Sequence, residues 1–120
     1  MKEIKAYIRP DMAERVVDGL IDAGLSCMAL THMEGVGLEC DPEDWRISVD
    51  YVRKYSKVVK LEIVCADEEA PEYVEIIRKN GHTGSLGDGM IFVSDVGRAV
   101  DIRTGEEAEG ALHKREPESH

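Results

Sequence analysis

The segment Gly81–Gly105, GHTGSLGDGMIFVSDVGRAVDIRTG, decides how the rest of the chain is read. It opens with Gly81, Gly84, Gly87 and Gly89 within nine residues. It runs on as an apolar strand from Met90 and closes on Arg103-Thr104-Gly105. Glycines at this density let a backbone adopt positive φ and let another group approach the main chain. A tight turn into a strand would use them, and so would a cradle for an anionic ligand. Asp88 sits between two glycines, where its carboxylate can accept from the N–H groups of its own turn.

Working back from this segment, Asp67–Asn80 is an amphipathic helix with Tyr73, Ile76 and Ile77 as its apolar stripe. Asp67 or Glu68 favours its N-terminus, and Asn80-Gly81 its end. Val58–Cys65 is the clearest strand, with Val59, Leu61 and Ile63 on one face and Lys60 and Glu62 on the other. Lys2–Arg9 alternates in the same way, placing Ile4, Ala6 and Ile8 together, and Pro10 stops it. Asp11 is placed as an N-cap with Glu14 at capping-box spacing. Met12, Val16, Leu20 and Ile21 then recur at helical spacing up to Gly24. Ser26–Val36 reads as a further strand whose weak alternation fits structure on both faces. Leu38–Ser56, nineteen residues, shows no sustained period. A connection that long within one domain is unusual and is expected to be a functional or mobile segment.

The order is strand, helix, strand, long loop, strand, helix, strand. It predicts an α+β, ferredoxin-like βαββαβ sandwich, an antiparallel four-stranded sheet with two helices on one face. The domain is expected over residues 1–105 with a loop at 37–56, followed by a charged tail at 106–120. The uncovered sheet face carries Tyr7, Leu30 or Ala29, and Phe92 or Ile91, which suggests association with further copies of the chain.

Composition narrows the function. The 120 residues carry a formal charge of −10, with 42% hydrophobic and 33% charged side chains. That field repels nucleic acid and anionic lipid, so neither is an expected partner. No apolar run approaches the length of a membrane span, and no secretory apolar core follows Met1. Cys27, Cys40 and Cys65 are three in number with no CxxC, which fits reduced thiols in the cytoplasm. No Ser/His/Asp or Cys/His arrangement stands out, no Walker lysine follows the glycines, and the four histidines lack metal spacing. His82 is read as a turn histidine at a helix end. No catalytic residues are assigned. Glu39 and Cys40, in the acidic run with Asp41, Glu43 and Asp44, are the only metal candidates, as carboxylates beside a thiolate.

Thr83–Val93 together with Ile102-Arg103-Thr104-Gly105-Glu106 resembles the C-terminal signature of the PII nitrogen-regulatory signalling proteins. Met1–Pro10, Gly35-Val36-Gly37 and Val59–Val64 extend the resemblance to nearly the whole domain. It implies a homotrimer, ATP or ADP sites in the clefts between subunits, and a long loop, here 37–56, that reaches a regulated transporter or enzyme. Carried over by position, the cleft residues are Gly35, Gly37, Glu39, Val64, Gly87, Asp88, Gly89 and Arg103. Trp45, Arg46 and Tyr51 are the partner-loop residues. Tyr51 stands where some members are uridylylated, although its neighbours do not match.

The departures from the family pattern fall where its ligands bind. Leu38 stands for a basic residue, Glu39 for a glutamine, Val58 for a lysine near the loop's exit, Met90 for a phosphate-facing lysine, and Asp101 for an arginine. Charge-assisted donors are what offset the desolvation of a polyphosphate. The expectation is therefore a small-molecule effector, with ATP, ADP or AMP held weakly and no cofactor essential. The alternative is a trimeric metal- or anion-binding protein of the same fold, CutA-like or bicarbonate-sensing.

Overall fold

The computed structural model describes the backbone of residues 1–38 and 53–107, and side-chain surroundings for residues 1–35 and 57–107. Four strands and two helices follow in the order β1 (Lys2–Ile8), α1 (Ala13–Asp22), β2 (Ala29–Leu38), β3 (Arg53–Cys65), α2 (Ala70–Gly81) and β4 (Gly89–Asp95). Every neighbouring pair in the sheet is antiparallel, and the strand order is β2-β3-β1-β4. This is the ferredoxin-like arrangement that the element order predicts.

The register explains the core. Ile4, Ala6 and Ile8 lie opposite Ile63, Leu61 and Val59, so both alternating sets fall on one face. All six are buried there, with Val16 and Leu20 of α1 and Tyr73 and Ile77 of α2 packed over them. Ile76 packs at the edge of this cluster, while Ile21 is more than a third exposed and is not a core residue. Cys65 is buried at the end of β3, where burial pushes its thiol pKa up. Cys27 is exposed.

Both helices begin differently from their sequence signals. A 3-10 turn, Pro10–Met12, precedes α1; the cap positions fall on Arg9 and Met12, neither with a side-chain capping bond, so Asp11 is not the N-cap. Proline fixes φ at the start of that turn, so the chain enters the helix without an acidic cap. A second 3-10 turn, Asp67–Glu69, precedes α2. Glu69 closes it by accepting the Ala66 N–H at 3.1 Å, and the Tyr73 hydroxyl donates to the other Glu69 oxygen at 3.1 Å. Asp67 pairs with the N-terminal ammonium at 2.8 Å, which lowers its pKa. At the far end of α1, Leu25 N–H donates to Leu20 O and Gly24 N–H to Ile21 O, a Schellman closure with Leu25 tucked into the core.

The sheet's other face settles two open assignments. Tyr7, Ala29 and Phe92 share it, whereas Leu30 lies opposite Leu61 and Ile91 opposite Ala6, on the helix side. Tyr7 and Phe92 meet edge to face with ring centroids 6.0 Å apart. Phe92 and Met90 are more than half exposed. Lys60 pairs with Glu62 at 3.2 Å and Lys5 with Glu3 at 3.9 Å on the same face.

The second strand starts later and ends later than its sequence signal, and the third starts earlier. The β2–β3 ladder continues to Leu38 opposite Arg53, taking in the outer parts of the segment read as loop. Because β1 ends at Ile8 opposite Val59, six β2–β3 pairs lie beyond it as a two-stranded arm, about 20 Å at strand rise. Among the described residues no helix is long and apolar enough to cross a membrane.

Candidate functional site

The glycine-rich turn between α2 and β4 is built around one carboxylate. Asp88 Oδ2 accepts the N–H groups of Thr83 at 2.8 Å and Gly84 at 2.9 Å. Its Oδ1 accepts the Thr83 hydroxyl and the Arg9 Nε–H, the latter at 2.9 Å. Thr83 in turn accepts the Ser85 N–H at 3.2 Å, and Arg9 Nη2 donates to the Leu86 carbonyl at 2.8 Å. Thr83, through its hydroxyl and its amide, and then Arg9 and Gly84 hold the Asp88 carboxyl well below the usual carboxylate range. The turn is closed on an anion of its own. The Thr83 and Gly84 amides, which a ligand could otherwise use, are satisfied here by Asp88.

Three glycines in this turn are held at positive φ, Gly84 at +88, Gly87 at +90 and Gly89 at +118. A Cβ on Gly89 would lie 1.8 Å from the Tyr7 carbonyl oxygen, so only glycine lets β4 start against β1 at that point. Met90 follows on the open sheet face opposite Tyr7.

The segment after β4 has its own organiser. Asp101 Oδ1 accepts the N–H groups of Arg103 at 2.8 Å and Thr104 at 3.0 Å, and Gly105 N–H donates to Asp101 O at 2.8 Å. Asp101 thus shapes the turn that presents Arg103, and Ile102 on that turn is fully exposed. Glu106 and Glu107 bond back to it: Asp101 N–H donates to Glu106 O, and Arg98 pairs with Glu107. His82 caps the end of α2 and is exposed.

Within one chain the candidate cleft residues do not converge. Gly89 lies opposite Ile8, and Val64 lies opposite Glu3, five residues away along β1, about 17 Å. Gly35 and Gly37 stand on the β2–β3 arm at the other edge of the sheet, three strand spacings or about 14 Å across. The segment carrying Arg103 leaves β4 at the end opposite Gly89, where Val96 N–H donates to Met1 O. Glu39, Cys40, Trp45, Arg46 and Tyr51 lie outside the described residues. Among the described residues no group of three or more His, Cys, Asp or Glu side chains is placed to share a metal ion. A groove of about 520 Å³ lies at the root of the arm between Pro10, His32, Glu34 and Lys57.

A sequence profile described as Nitrogen regulatory protein P-II matches residues 1–106. The chain belongs to the P-II family. The Nitrogen regulatory protein P-II of Pasteurella multocida is 38% identical over 112 residues, covering 93% of this chain and all of that protein. The protein of the same name from Rhizobium meliloti is 39% identical over 106 residues, covering 88% of this chain and 95% of its own length. Nitrogen regulatory protein P-II 1 of Escherichia coli is 36% identical over 112 residues, covering 93% and 100%. The P-II match spans all six described elements, the Asp88-centred turn and the turn that presents Arg103.

The P-II signature was legible in the glycines and in Arg103. Arg9 was not, because its contacts at Leu86 and Asp88 lie 77 and 79 positions away. Only the register that sets Ile8 opposite Gly89 brings them together.

Proposed function

We propose that this chain is a P-II-type signalling protein that senses a small-molecule effector at clefts between three copies of itself and signals to a regulated transporter or enzyme through the 37–56 loop. The observation that carries the reading is the divided placement of the cleft residues. Gly87–Gly89, Val64, the Gly35–Gly37 arm and Arg103 sit at different edges and ends of one sheet. One site from these residues needs more than one chain. The open face, with Tyr7, Met90 and Phe92 beside two Lys–Glu pairs, offers a second copy both apolar area and alternating charge. The relatives are named as nitrogen regulatory proteins, which supports regulation rather than catalysis for this chain.

The effector is an adenine nucleotide held weakly or a less charged molecule, since Leu38, Glu39, Met90 and Asp101 leave few cations for a triphosphate. The regulatory unit is residues 1–105, with 106–120 a charged extension, and the compartment is the cytoplasm. Light scattering on the purified chain tests the assembly on which the cleft depends. Three copies per particle are expected. A monomer at micromolar concentration, with or without nucleotide, overturns the reading.

A further inference from the structure

We propose that Arg9 is a positioning residue of the effector cleft, a latch that holds the Thr83–Gly89 turn and so fixes where Gly87, Gly89 and Met90 meet a ligand. The proposal rests on reading Gly87–Gly89 as one wall of the cleft.

Three observations carry it. Arg9 is the residue next after β1, so its backbone is anchored to the sheet, and its side chain reaches the turn at two points, Asp88 and Leu86. These two contacts use different guanidinium nitrogens, Nε and Nη2. A planar fork of fixed geometry serves both at once; a lysine ammonium serves one. The turn itself hangs on Asp88, whose two oxygens gather Thr83 and Gly84. Neutralising that carboxylate from outside falls to Arg9, the cation paired with it at 2.9 Å. Finally, Gly87 leaves its Cβ position 3.6 Å from Arg9 Nη2, so the guanidinium lies against the turn's ligand-facing end. Removing Arg9 therefore frees the turn's inner anchor while leaving Gly87, Gly89 and Met90 chemically intact.

Arg9→Met and Arg9→Lys in the full chain separate a latch from a residue that merely fills space. Hydrogen exchange is read at the Thr83 and Gly84 amides, and affinity is read with AMP and ADP as probes by calorimetry. In Arg9→Met those amides exchange faster, and the affinity of whichever probe binds falls about tenfold to a hundredfold, the range spanned by losing one charge-assisted hydrogen bond. Exchange in the β1–β3 core stays as in the wild type, which shows that the chain still folds. Arg9→Lys recovers part of both. Unchanged turn exchange in Arg9→Met overturns the latch. Faster exchange with unchanged affinity overturns the positioning role alone. A wild type that binds neither AMP nor ADP overturns the reading of the cleft as a nucleotide site, and the positioning role proposed for Arg9 falls with it.

Discussion

Replacing Gly89 by alanine tests the tightest Cβ position among the described glycines. The added Cβ would stand 1.8 Å from the Tyr7 carbonyl oxygen, where real contacts almost never fall under 3.0 Å, so β1 and β4 must part by more than an ångström. The φ of +118 adds strain that an L side chain carries at roughly 1–3 kcal/mol. Parting the strands also gives up the Ile8–Gly89 end of the ladder, at about 0.5–1.5 kcal/mol for each hydrogen bond lost. The sum is about 2–5 kcal/mol, a large share of the roughly 5–15 kcal/mol that holds a domain together. With a urea m-value of about 1–2 kcal/mol per molar for a chain of this size, the unfolding midpoint falls by roughly 1–5 M. Two other glycines calibrate the result. Gly105 has φ +72 but nothing within 4 Å of its Cβ position, so Gly105→Ala carries conformational strain alone, about 1 kcal/mol. Gly97 has open space and no positive φ, and Gly97→Ala stays within about 0.5 kcal/mol of the wild type. Urea denaturation at one protein concentration, which holds assembly fixed, ranks the three. A Gly89→Ala midpoint equal to that of Gly97→Ala refutes the geometry.

Further outcomes follow from the same contacts. The Asp88 carboxylate binds its proton less readily in the folded chain than in the unfolded one, where aspartate titrates near pH ~3.9. Its stabilisation is thus complete above about pH 5 and is lost as the pH falls towards the folded value. Asp88→Asn, followed by urea midpoints across pH, should be less stable near neutrality and should show a flatter decline in acid; parallel curves contradict this. Tyr73→Phe removes the hydroxyl that donates to Glu69 and should cost about 0.5–1.5 kcal/mol by denaturation. Leu61→Ala empties a fully buried site in the centre of the sheet and should cost about 2–5 kcal/mol, against less than 0.5 kcal/mol for the exposed Glu72→Ala.

The fold was readable wherever one face of an element meets the core. Ile4, Ala6, Ile8, Val59, Leu61 and Ile63 alternate because every second position is buried, and Tyr73 and Ile77 recur because one helical stripe is. The outer β2–β3 arm was not readable for the same reason: beyond Val59 it has no β1 strand beside it, so no core imposes a period. Asp11 looked like a cap, but Pro10 starts a 3-10 turn that enters α1 without one. At the candidate site, the density of glycine marked the turn correctly as a place of positive φ. That Asp88 would fill the turn's own amides was visible in its position between Gly87 and Gly89. That Arg9 would hold it from another strand was not, since no local pattern links residues so far apart. Asp101 read as a reversed charge; in the fold it also accepts the amides of Arg103 and Thr104, so a local structural role accompanies the charge change.

This P-II chain keeps the fold of its family, and the cleft we propose for its effector lacks the charge that a triphosphate needs. Calorimetric titration of Mg-ATP into the wild type, beside Met90→Lys, bears on this without intermediaries. Weak or undetectable binding is expected of the wild type, and measurably tighter binding of Met90→Lys. Low-micromolar Mg-ATP binding by the wild type overturns the proposed loss of charge.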